Sequence, residues 1–228
     1  MSRRSFIKGA ALTSLAATLS ACISDKIVPT PTIVPEEIAL PTPRTEGPMS
    51  LEETLAKRRS VRQFTTQSLT WDELSQLLWA TQGVTDPRGF RTAPSAGALY
   101  PLEVYLATPE AAYRYIPQGH RVVLQIQGDH RIALWHAGLQ QEALREAPVI
   151  FVLAAVYGRT ERKYGGRAAR YVQLEAGHAA QNLLLQAVAL GLGAVPIGAF
   201  ADEEIQIALA LPADHKPLYL IPVGYPRV

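Results

Sequence analysis

Hydrophobic and polar positions divide the chain into three stretches. Residues 9–21 are uncharged and mostly apolar, residues 23–49 are broken by prolines, and regular apolar periods begin only at residue 50. From there, Ser50 with Glu53 forms a capping box that opens a short helix through Leu51 and Leu55 toward Arg58. Thr70 with Glu73 forms a second one, opening a helix with Leu74, Leu77 and Leu78 on its apolar face and Gly83 and Pro87 beyond its end. Residues 104–107 alternate as a strand, and 113–116 with 122–126 read as a hairpin around Gln118-Gly119. Residues 132–134 and 139–144 are expected to be helical. Residues 148–156 form a continuous apolar run, the pattern of a central strand buried on both faces. The longest helical stretch, 171–190, is apolar nearly all round and so is expected to be buried in the core or a subunit interface. A short helix over 203–209 and a closing strand over 218–223 complete an α+β domain spanning 50–228.

The first two stretches read as appendages. Ser2-Arg3-Arg4-Ser5-Phe6-Ile7-Lys8 is a twin-arginine n-region, and the apolar run after it is too short to span a bilayer. It ends in Leu19-Ser20-Ala21-Cys22, which resembles a lipobox with the chain's one cysteine at the acceptor position. Residues 1–22 are therefore expected to be an export signal ending in lipidation of Cys22, which gives a membrane-anchored, extracytoplasmic protein with no thiol left for catalysis. Residues 23–49 carry Pro29, Pro31, Pro35, Pro41, Pro43 and Pro48 and are expected to form a polyproline-type stalk. Fully extended, it would reach about 80 Å.

Charge changes the picture little. The 22 basic and 20 acidic residues give +2, but Arg3, Arg4 and Lys8 lie in the leader, and the remainder is near −1. No basic stripe interleaved with aromatics points to nucleic acid.

Candidate chemistry centres on Arg58-Arg59-Ser60-Val61-Arg62, three guanidinium groups and a hydroxyl suited to a phosphate. A solvated helix end would carry a similar cluster. Residues 91–101 form a small-residue loop that lets backbone approach a planar ligand. Within the long helix, Glu175, His178, Asn182 and Gln186 share one stripe. A Glu-x-x-His metal site needs a second copy of the motif, which the sequence lacks, so no metal is expected. Val195-Pro196-Ile197-Gly198-Ala199-Phe200 does not fit a dinucleotide fingerprint, and Pro94-Ser95-Ala96-Gly97 does not fit a serine-hydrolase elbow.

In this order, the blocks 58–64, 94–101, the long helix and 196–200 resemble the FMN-dependent nitroreductase superfamily. Pro94-Ser95-Ala96-Gly97-Ala98-Leu99-Tyr100-Pro101 and Arg162-Lys163-Tyr164-Gly165-Gly166-Arg167 resemble its SagB-type, azoline-oxidising dehydrogenase branch more specifically. The resemblance implies a mostly antiparallel central sheet flanked by helices, with the long buried helix at a homodimer interface. It implies FMN held by Arg58, Ser60 and Arg62 (Arg59 less directly) through its phosphate. Pro94, Ser95 and Ala96 would line the ring and ribityl chain, with Tyr100 near the ring edge, and the N–H groups of Gly198 and Ala199 would face flavin N5 and the pyrimidine edge. Many members carry another basic phosphate ligand in a C-terminal extension; in this sequence Arg227 is the candidate for that role. Lys163 and Tyr164 are the implied catalytic pair, the lysine serving as base if buried among Arg159, Arg162 and Arg167. The substrate is expected to be a small or peptide-derived molecule, oxidised or reduced by two electrons in ping-pong fashion. Two other readings stay open: an NAD(P)H-dependent nitro or quinone reductase, and a catalytically idle surface lipoprotein acting as a binding module.

Overall fold

Alternation along the central strands sets the architecture. In the computed structural model, which describes residues 36–227, β5 (Val149–Ala155) directs Val149, Phe151, Leu153 and Ala155 to one face and Ile150, Val152 and Ala154 to the other. β2 (Leu102–Ala107) does the same, with Leu102, Val104 and Leu106 opposite Tyr105 and Ala107. Both faces therefore need cover, and helices supply it. One face packs on α2 (Trp71–Gln82) through Leu74, Leu77 and Leu78, and on α6 (Ala168–Ala189) through Val172, Ala176, Ala179 and Leu183. The other packs on α3 (Arg131–Ala137), α4 (Glu142–Glu146) and α7 (Asp202–Ala208) through Leu134, Leu144 and Ile205.

The sheet has seven strands in the order β1-β4-β3-β2-β5-β7-β6, and every neighbouring pair is antiparallel. β3 (Ala111–Ile116) and β4 (Arg121–Gln127) are the expected hairpin, β7 (Lys216–Gly224) is the expected closing strand, and β6 is the pair Gly193–Ala194. α1 (Leu51–Lys57) starts at Ser50, whose hydroxyl accepts the Glu53 N–H. The Thr70–Glu73 capping box at the start of α2 is complete.

Two segments depart from the sequence reading. The stalk expected to run to Met49 joins the domain from Glu36 onward. β1 (Glu37–Ala39) adds an edge strand to β4, and Ser75 and Gln76 of α2 hydrogen-bond the backbone of Pro41 and Arg44. Proline lacks an N–H but keeps its carbonyl, so a proline-spaced segment still satisfies these buried donors. The connection around Lys163, to which the sequence reading gave no element, is helical, α5 (Tyr157–Tyr164). Its inward side is only Tyr157, Thr160 and Tyr164, a short stripe within a charged stretch. The export signal and Cys22 lie outside the described residues.

Candidate flavin site

The residues anticipated for one site gather in two places. The first forms where the chain leaves α6. Ser60 bridges Ala194 in parallel, and the Val61 N–H donates to the Ala194 carbonyl at 3.1 Å. A Cβ on Gly193 would stand 2.6 Å from Val61, so glycine is what permits this approach. Arg58 ends α1, donating its N–H to the Thr54 carbonyl. Arg62 is exposed and, with Gly198, Ala199, Gln141 and Pro196, lines a cavity of about 370 Å³. Among the described residues neither Arg58 nor Arg62 forms a salt bridge. Arg59 is turned back, its Nη1 donating to the carbonyls of Ala56 and Arg58.

Arg227 comes to the same place by a different route. Phe64 bridges Pro226, and the Arg227 N–H donates to the Gln63 carbonyl at 3.0 Å. Its guanidinium already has a partner, Glu146, at 2.7 Å. Glu146 also accepts the Phe64 N–H, and these two donors hold its carboxyl below the ordinary range. A ligand phosphate at Arg227 would have to compete with that carboxylate. The sequence did not single out Glu146, and nothing in its spacing from Arg227 marks the pair.

The second group surrounds the loop before β2. Gly97, Ala98 and Tyr100 all have positive φ, at 64°, 54° and 47°. Two of them are not glycine, so the loop is held in a conformation that side chains disfavour. Several contacts hold it. The Ser95 hydroxyl accepts the Tyr100 N–H at 2.9 Å, the Tyr100 hydroxyl accepts the Arg91 N–H at 3.2 Å, and the Arg91 guanidinium lies 4.3 Å over the Tyr100 ring. Arg91 Nη1 also donates to Gln82 Oε1 at 3.0 Å. Pro94 is exposed; Ser95, Ala96 and Tyr100 are half-buried.

Lys163 and Tyr164 meet this loop. A Cβ built on Gly97 would stand 3.0 Å from both Lys163 Nζ and Tyr164 OH, which places both polar ends over the one residue that presents no side chain. Tyr171 of α6 packs edge-on against the Tyr164 ring, at 5.0 Å and 84°. Lys163 itself is exposed, so the burial set as the condition for a lysine base is not met among the described residues, and Arg159 turns away to the Tyr100 carbonyl and Glu103.

Behind the loop, α6 presents Glu175, only 3% exposed, beside Ser95, Gln82 and Arg91. Its Oε1 has no hydrogen-bond partner among the described residues, and neither does Gln82 Nε2. Burial pushes the carboxyl up to about 7, against the pull of Ser95, Arg91 and Gln82. Elsewhere on the stripe, Asn182 donates to the Thr92 carbonyl and Gln186 accepts from Gln76, while His178 is exposed. The stripe was legible as polar, but its partner loop was not, because Ser95 and Glu175 are far apart in sequence.

The two groups sit toward opposite ends of α6. Ser60 meets Ala194 beyond its C-terminal end, whereas Ser95 meets Glu175 in its first third. From Glu175 to Ala189 the helix alone rises about 21 Å.

Comparison with known proteins identifies the family. Residues 55–225 match the model of the nitroreductase family. The chain belongs to that family. It is 48% identical over 184 residues, 77% of this chain and 91% of the other, to a Methanocaldococcus jannaschii protein assigned as a nitroreductase. A Ralstonia eutropha structure assigned to the same family shares 32% identity with a TM-score of 0.76, covering 84% of this chain and 90% of that one. An NADPH:FMN oxidoreductase from Vibrio harveyi, solved with NAD⁺, shares the fold at 21% identity and a TM-score of 0.58, over 78% of this chain and 69% of that one. The chain is thus a nitroreductase-family oxidoreductase with an α+β, antiparallel-sheet fold.

Proposed function

We propose that the protein is an FMN-dependent dehydrogenase of the SagB type, transferring two electrons between FMN and a small or peptide-derived substrate. The observation that carries this reading is the convergence of Lys163 Nζ and Tyr164 OH on Gly97, which joins the two segments that resemble that branch. The donor set fits FMN. Arg58, Ser60 and Arg62 offer charged and hydroxyl donors to a phosphate, and the backbone at Gly198 has open space where a side chain would stand. When bound, FMN supplies the electron-accepting and electron-donating chemistry. The protein's own part is to bind, to orient, and to take or give a proton at Lys163 Nζ or Tyr164 OH.

The separation of the two groups along α6 favours a homodimer. Antiparallel pairing of α6 with a second copy would set the Gly97 loop of one chain beside the Arg58–Arg62 segment of the other. We also read residues 1–22 as a twin-arginine signal with lipidation at Cys22, giving an exported, anchored enzyme.

The test is turnover with flavin content measured alongside. Lys163→Met and Tyr164→Phe together should lower kcat about a hundredfold, the lower range for loss of general acid–base groups, with flavin retained. Turnover within about threefold of the unaltered protein would remove the pair from the reaction. In that case the NAD(P)H-dependent nitro or quinone reductase, whose substrate need not exchange a proton with these residues, becomes the better description.

A further inference from the structure

Three arginines and one carboxylate line a cleft beside Tyr100. A cavity of about 170 Å³ is lined there by Arg91, Glu103, Arg114 and Arg159. Arg159 pairs with Glu103 Oε1 and also donates Nη1 to the Tyr100 carbonyl at 3.0 Å. Arg114 Nη1 is 3.7 Å from Glu103 Oε2, close enough for attraction but too far for a hydrogen bond. Glu103 is buried and is the one carboxylate that lines this cavity. The other acid near Arg91 is Glu175, which burial keeps largely protonated below neutral pH.

The atoms left without partners in this cleft are donors. Among the described residues Arg91 Nε is buried and without a partner, and Arg114 presents a guanidinium that is only partly engaged. Burial holds the Arg91 guanidinium below its ordinary range, the mark of a cation whose surroundings under-compensate it. Excess positive charge in a partly enclosed cleft is unfavourable until an anion joins it. The planar fork of arginine matches a carboxylate, and stacking on the Tyr100 ring fixes the orientation of Arg91 in advance. Arg159 of the cleft donates to the carbonyl of Tyr100, in the same loop that Lys163 and Tyr164 meet at Gly97, so that loop joins the cleft to the reactive pair.

We propose that the cleft between Arg91, Arg114 and Arg159 is a subsite for the carboxylate of a small anionic substrate. The assignment of that ligand as substrate rests on Lys163 and Tyr164 being the reactive pair; the anion site itself does not. Calorimetric titration with 4-nitrobenzoate and 4-nitrobenzamide at fixed ionic strength tests it, since the two probes differ chiefly in the carboxylate. On the flavin-loaded protein the carboxylate should bind at least about tenfold more tightly than the amide. Arg114→Gln should bring that ratio close to one, and Arg114→Lys, which keeps the charge and loses the fork, should leave a ratio of about three. Arg88→Gln, which removes the same charge from an exposed position, should leave the ratio unchanged. Should the protein hold no flavin, the ratio is read on the colourless protein, so failure of the flavin reading stays distinct from failure of the subsite. Equal affinity for the two probes, or a ratio that survives Arg114→Gln, overturns the proposal.

Discussion

Replacing Arg58 and Arg62 together by alanine is expected to weaken FMN binding about a thousandfold. Each guanidinium would give a charge-assisted hydrogen bond to the phosphate, and bonds to charged groups contribute about 2 kcal/mol apiece, so losing two costs about 4 kcal/mol. The two positions suit that role because neither side chain forms a salt bridge among the described residues, which leaves their donors for a ligand. Arg59→Ala is the internal control. Its guanidinium is folded onto the carbonyls of Ala56 and Arg58, so binding should change by less than about threefold. Flavin fluorescence titration reads all three proteins. A double variant that binds within tenfold of the unaltered chain would move the phosphate elsewhere, with Arg227 and its partner Glu146 the next place to look.

Glu175→Gln is expected to change how stability depends on pH. The folded carboxyl stands at about 7 against an ordinary 4.5, so the folded chain binds this proton more tightly than the unfolded one. The stability that goes with the proton is fully present below pH 4.5 and is lost as pH rises through 7. The shift corresponds to about 3 kcal/mol. Glutamine keeps the shape and cannot ionise, so the stability of the variant relative to the unaltered chain should rise by about 3 kcal/mol between pH 4.5 and pH 8. Urea denaturation at the two pH values measures this. Parallel profiles for the two proteins would mean that the carboxyl is not held protonated. Because Ser95 lies beside Glu175 and accepts the Tyr100 N–H, ionisation of this one group acts directly on the strained loop that Lys163 and Tyr164 face.

Much of the scaffold was legible because its signals are local. Thr70 and Glu73 are three residues apart and cap α2 as read; Gln118-Gly119 turns the hairpin; the apolar run of β5 is buried on both faces. β1 was not legible, since three residues between prolines carry no period, and only its pairing with Arg121–Val123 of β4 reveals it. α5 was missed because its inward stripe of Tyr157, Thr160 and Tyr164 is short and set among charged residues.

The site divides in the same way. Motifs placed Lys163, Tyr164, Ser95 and Arg58 on the list, and the structure brings the first three to one loop. Arg91, Gln82 and Glu103 were passed over, since their importance comes from which charges face one another across β2, β3, α5 and α6. Sequence spacing carries no record of that. The division of the candidate residues into two groups along α6 was likewise invisible until the length of the helix between them could be measured.

The most direct test of the flavin reading is the visible absorption spectrum of the chain expressed from residue 23 onward, followed by release and identification of any bound cofactor. Flavin bands with FMN in the released fraction are expected, with the bands lost from the Arg58→Ala, Arg62→Ala protein. A folded, colourless protein that takes up no added FMN would contradict the account and leave a binding module built on an oxidoreductase fold.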